Sequence, residues 1–173
     1  MADTWRATSQ AVAYASAKYL IDVMNAAASA KTIKVYRIYI FNNGTASVKG
    51  VLTALQVKRS SAASSGTTLT PIAHNLGNTA LDSNTTAGTG RTVTSTSIFR
   101  QVLFQNDEPT VTTLDMDALL TLVPYAEIWN AGYGDSNVQP LTCRAGNAEG
   151  ICLQQPGSNA VGTCDVEMEF TSE

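Results

Sequence analysis

His74 is the single histidine of the chain, set in the run His74-Asn75-Leu76-Gly77-Asn78. With one of the many serines and an aspartate it would make a hydrolase triad, in which a carboxylate orients the imidazole and the imidazole takes a proton from an exposed, strained hydroxyl. No GxSxG stretch supplies such a hydroxyl, and a lone imidazole among Asn and Gly reads as a solvated polar residue. No catalytic residue is therefore assigned, and the chain is not expected to be an enzyme. Oxygen ligands for Ca²⁺ would come from Asp115 and Asp117 or from Glu167 and Glu169, yet that ion needs about six to eight oxygens gathered by a loop. Glu167 and Glu169 alternate with Val166, Met168 and Phe170, which places them on the solvent side of a strand. Cys143, Cys152 and Cys164 stand too far apart for a CxxC zinc knuckle and far from His74. They are expected as free, buried thiols, with no metal and no cofactor.

Aromatic residues suggest a different chemistry. Trp5, Tyr125, Trp129 and Tyr133 would stack on sugar rings if exposed. Trp129 and Tyr133 stand close to Gly132 and Gly134, however, and read better as core or subunit-interface residues. Arg37 lies inside an apolar run and, if buried, must meet a carboxylate or a partner chain. Arg100, Arg144, Lys58 and Arg59 are scattered and suit surface pairing. Asn43-Gly44-Thr45 and Asn84-Thr85-Thr86 match the glycosylation acceptor pattern; with no export signal in view, both are read as turns.

The elements that must position these residues are strands. Lys31 to Phe41, KTIKVYRIYIF, is β-branched and aromatic, with apolar residues on both parities, so it predicts a strand buried on much of both faces. Asn42-Asn43-Gly44 is a turn signal, and a second strand from about Ala46 to Lys58 would complete a hairpin. A strand is expected at about 18–24. From Ser60 to Thr96 the chain is mostly Ser, Thr, Ala and Gly, which predicts exposed loops with contact roles rather than core. Strand pattern returns at Val93 to Gln105, Gln139 to Arg144, Gly150 to Gln154 and Cys164 to Phe170. Pro124 argues against a long helix between Ala118 and Trp129.

The chain has 173 residues, the size of one domain, of which 14% are charged, and a net charge of −3. Fourteen acids against eleven bases argue against a protein that holds nucleic acid by neutralising phosphate. No apolar run approaches the ~18 residues of a membrane helix, so no membrane partner is expected. Many short strands with Gly and Asn turns indicate an all-β sandwich. A two-sheet jelly roll over 18–173 is preferred, with residues 1–17 as an N-terminal arm.

Three stretches go further: KTIKVYRIYIFNNGTASVKGVLTALQVKRSS at 31–61, EIWNAGYGD at 127–135, and PLTCRAGNAEGICLQQPGSNAVGTCDVEMEFT at 140–171. Together they cover roughly half of the chain, and they resemble the head decoration, or cement, proteins of tailed bacteriophages, a jelly-roll family. The resemblance implies a virion structural protein, assembled in the host cytoplasm onto the capsid surface. Its partners would be the phage major capsid protein and copies of itself, a homotrimer in preference to a dimer. Trp5, Arg37, Trp129 and Tyr133 are the candidate interface residues. The alternative is a phage tail or receptor-binding module that recognises cell-surface carbohydrate.

Overall fold

The computed structural model describes residues 2–15, 19–42, 52–105, 125–132, 138–157 and 162–173. Twelve strands appear among them, with no helix. They are β1 (Asp3–Ala13), β2 (Tyr19–Asn25), β3 (Ile33–Asn42), β4 (Leu52–Ser64), β5 (Thr67–Leu69), β6 (Ile72–Ala73), β7 (Thr85–Thr89), β8 (Thr92–Gln105), β9 (Tyr125–Asn130), β10 (Leu141–Cys143), β11 (Glu149–Gln154) and β12 (Thr163–Ser172). One antiparallel sheet, A, runs β10-β3-β12-β1-β6, with β9 also on β3; the other, B, runs β5-β7-β2-β11-β4-β8. The sheets pack face to face over a core that includes Ile21, Val23, Ile33, Ile38, Ile40, Leu55, Val57, Ile151, Leu153, Val166, Met168 and Phe170. The protein is an all-β sandwich, as the strand spacing indicates.

β3 resolves its two-sided apolar pattern with a bulge. Glu169 pairs with Arg37 and Phe170 with Val35, so Tyr36 is the extra residue. The slip moves the inward set from Ile33 and Val35 to Ile38 and Ile40, all buried, while Arg37, Tyr39 and Phe41 turn outward. The Tyr36 carbonyl accepts a hydrogen bond from the Ala131 amide at 2.8 Å, so the bulged backbone is satisfied.

Three expectations change. The strands at Lys31–Phe41 and Ala46–Lys58 do not form a hairpin among the described residues: β3 pairs with β9, β10 and β12 in sheet A, whereas β4 pairs with β8 and β11 in sheet B. β3 and β4 thus belong to different sheets, and Asn43 and Gly44 of the expected turn lie outside the described residues. The described part of residues 1–17 is not an arm. β1 sits between β12 and β6, and its Trp5, Ala7 and Val12 enter the core. Its ladder with β12 slips between Ser9 and Val12, where Ala11 takes φ 51° and its amide donates to Asp165.

The small-residue stretch after Ser60 is built rather than loose. β4 runs on to Ser64 and pairs with the start of β8 through three register shifts, each of which twists the ribbon. The ribbon's far half thereby crosses the outer face of sheet B. The Ser60 hydroxyl donates to Met24 Sδ at 3.1 Å, Tyr19 and Ser95 hydroxyls meet at 3.0 Å, and the Gly90 amide donates to the Tyr19 carbonyl. This cover explains why β2, from Leu20 to Asn25, is buried on both faces.

Candidate functional site

Strand alternation puts a charged and aromatic cluster on the outer face of sheet A. With Trp5 and Ala7 inward, Arg6 and Thr8 of β1 must face out; with Val166 and Met168 inward, so must Glu167 of β12. The β3 bulge brings Arg37, Tyr39 and Phe41 to the same face, and β9 adds Tyr125, which pairs with Phe41. β6 lays Ile72 opposite Arg6 and carries the chain on to His74, whose amide donates to the Thr4 carbonyl.

Glu169 is the centre of this cluster. Its side chain is 5% exposed, and Arg6 Nη2 donates to its Oε1 at 2.5 Å. Arg37 Nη1 stands 3.8 Å from the other oxygen, Oε2, and His74 Nε2 stands 4.0 Å from Oε1. Arg6 also reaches Glu167 at 3.4 Å. The hydrogen bond from Arg6 to Glu169 raises the Arg6 pKa above its ordinary value, against the opposing effect of burial. Burial is the first cause that raises the Tyr39 pKa. Beside the ions, the rings of Tyr39, Phe41 and Tyr125 lie with centroids 6.0–6.5 Å apart in tilted and edge-on contacts. A shallow groove of about 320 Å³ runs between Arg6, Arg37, Tyr39, Phe41, Tyr125 and the two glutamates. A neighbouring one of about 500 Å³ shares Arg6 and Glu167 and adds Thr8, Ile72 and His74.

A second surface is the free side of β8. This strand closes sheet B and, among the described residues, pairs only with β4. It exposes Ile98 (51%), Phe99 (38%) and Leu103 (68%); the Arg59 guanidinium lies 5.2 Å from the Phe99 ring centroid.

A third cluster is closed to solvent. Under the ribbon, Arg91 donates to Asp22 Oδ2 at 3.2 Å, to the Thr86 hydroxyl and to the Ala87 carbonyl. Asp22 has no exposed surface, and burial raises its pKa to about 6 although Arg91 pulls it down. Gly88 leaves room for Arg91, since a Cβ there would lie 1.9 Å from its Nε.

The residues that the sequence singles out therefore separate, and Trp5 needs correction: it is a core residue, 8% exposed, and offers no interface. Trp129 is half-buried and packs against the core, whereas Tyr133 lies outside the described residues, as do Asp115 and Asp117. Arg37 finds its carboxylate in Glu169. Glu169 itself, expected on the solvent side, is buried because Arg6 and Arg37 from the flanking strands converge on it. His74 is exposed but joins the same cluster rather than standing apart. Cys143, Cys152 and Cys164 are free and buried. Asn84 lies in a turn capped by Asp82, whose Oδ1 accepts from the Asn84 backbone and side-chain amides, while Thr85 enters β7. Among the described residues no three His, Cys, Asp or Glu side chains form a metal-binding group. Tyr39 and Phe41 carried no site signal in the sequence; the parity change at Tyr36 that turns them outward is a pairing effect between strands.

The chain matches no protein-family model, and neither curated proteins nor solved structures yield a match.

Proposed function

We propose that this chain is a bacteriophage virion structural protein, a decoration (cement) protein that binds the head shell and stabilises it by protein–protein contact. The observation that carries the reading is β8, a strand of 14 residues on the edge of sheet B with Ile98, Phe99 and Leu103 exposed. Monomeric β proteins blunt such edges with charge, Pro or cover, because an open edge recruits another chain. Here the apolar groups suit burial against a neighbouring subunit. Repetition over a shell adds to this, since each anchored subunit raises the effective concentration for the next contact.

The strand order supports the jelly-roll reading that goes with the family resemblance. With β1, β2, β3, β4, β8, β9, β11 and β12 taken as eight successive strands, one sheet reads first, eighth, third, sixth and the other second, seventh, fourth, fifth. That interleaving is the arrangement of two Greek keys wound together. β5, β6 and β7 then form an insertion between the fourth and fifth strands, extending the far edges of both sheets. The major capsid protein is the partner in this reading, and self-association as a trimer follows from the threefold sites of a shell.

Co-sedimentation with cognate heads that lack the protein tests the proposal. Saturable binding, with a higher temperature of head rupture, is the expected result. A folded protein that leaves the heads bare removes the cement role.

A further inference from the structure

The groove on the outer face of sheet A holds groups that shell binding through β8 leaves unused. We propose that this groove is a binding site for a neutral saccharide. The sugar ring lies against Tyr125 and Tyr39, and its hydroxyls bridge the guanidinium and carboxylate groups of Arg6, Arg37, Glu167 and Glu169.

Charge balance selects the ligand class. The two arginines and two glutamates that line the groove cancel formally, and the Glu127 carboxylate stands against Tyr39, so there is no positive excess to hold a phosphate or an acidic sugar. Glu167 and Glu169 would repel either. What remains is an array of fixed donors beside fixed acceptors, the complement of vicinal hydroxyls, each of which donates and accepts. Glu169 is held in place by burial and by Arg6, so its orientation is settled before a ligand arrives. The rings provide the apolar half of the contact: Tyr125 is 51% exposed, and the Phe41 and Tyr39 rings lie 6.0 and 6.5 Å from its own, centroid to centroid, so the three form one apolar patch along the groove. The shallow, open form of the groove suits a segment of an extended glycan better than an enclosed small molecule. Sugar binding here does not depend on head binding, and its test uses the isolated protein.

The purified full chain is applied to an array of neutral and acidic oligosaccharides, and the best neutral binder is then titrated by calorimetry. Binding to a neutral glycan is expected, weakened at least about tenfold by Tyr125→Ala, as for the loss of one ring contact. Glu167→Gln, which keeps the shape and alters the acceptor, is expected to weaken it as well. Unchanged thermal melting shows that both variants fold. Absence of any neutral ligand, selective binding of acidic glycans, or affinity indifferent to both substitutions overturns the assignment.

Discussion

Asp22 and Arg91 show how one buried pair sets a pH dependence. The folded-state pKa of Asp22, about 6, lies above its ordinary 3.8, so between these values the folded protein binds more protons than the unfolded chain. Stability from this group is therefore greatest below about pH 4 and is lost as pH rises through 6, by up to about 3 kcal/mol. Arg91 limits that loss. Arg91→Met is expected to destabilise by about 3 kcal/mol at pH 7, because it leaves a buried carboxylate unpaired. The loss should be smaller at pH 5, where Asp22 takes up a proton. Urea midpoints at the two pH values check this, and an equal loss at both would contradict it. The thiols give a second residue-scale expectation. Burial raises Cys143 and Cys152 to about 12, and Cys164 is buried too, so almost no thiolate is available to react. A disulfide reagent at pH 8 should titrate none of the three in the folded protein and all of them in denaturant. Neither Asp22 nor Arg91 stood out in the sequence, because 69 residues separate the partners and no local pattern pairs them.

The strands differ in how far their own residues reveal them. β12 alternates cleanly, with Val166, Met168 and Phe170 inward, and β11 and β10 appear where the apolar residues fall. β3 was legible as a strand but not in its pairing: an Asn-Gly turn signal implies a hairpin, while the choice of sheet is made by strands more than eighty residues away in sequence. Of the ribbon, β8 was legible from Val93 to Gln105, but the run of β4 beyond Ser60 was not. Its cover over sheet B is made by close backbone approach and small groups such as Ser60, and these leave no hydrophobic period. Gly150 pairs with Met24 on one side and Ser60 on the other and leaves room for both side chains. A Cβ there would lie 2.1 Å from Met24 Sδ, 2.5 Å from Ser60 Oγ and 2.7 Å from the Val23 carbonyl. Gly150→Ala is expected to cost about 2 kcal/mol or more, since the carbonyl cannot move aside without disturbing the ladder. Thermal melting measures it; a wild-type transition would mean that β2 and β4 do not crowd β11 at this position. The arginine–glutamate cluster was partly legible, as a demand by Arg37 for a carboxylate, but the identity of that carboxylate depends on the bulge at Tyr36.

At the scale of the molecule, a low share of charged residues and an apolar strand that among the described residues pairs on one side only point to the same behaviour. The sandwich completes its own core, with Phe170, Met168 and Ile38 fully buried, and leaves β8 with Ile98, Phe99 and Leu103 exposed. The proposed assembly through this edge and the proposed ligand binding on the outer face of sheet A use different residues, so the two should separate by mutation. Leu103→Lys adds a charge to an exposed position and is expected to leave melting within about 0.5 kcal/mol of wild type while weakening attachment to the shell. Tyr125→Ala is expected to leave attachment intact. The most direct measurement is co-sedimentation of the wild-type protein and Leu103→Lys with heads that lack the protein, followed by heat challenge of the loaded particles. Saturable binding and delayed rupture are predicted for the wild type, both reduced by Leu103→Lys. Heads that take up neither folded protein and rupture at their unprotected temperature would contradict the cement role.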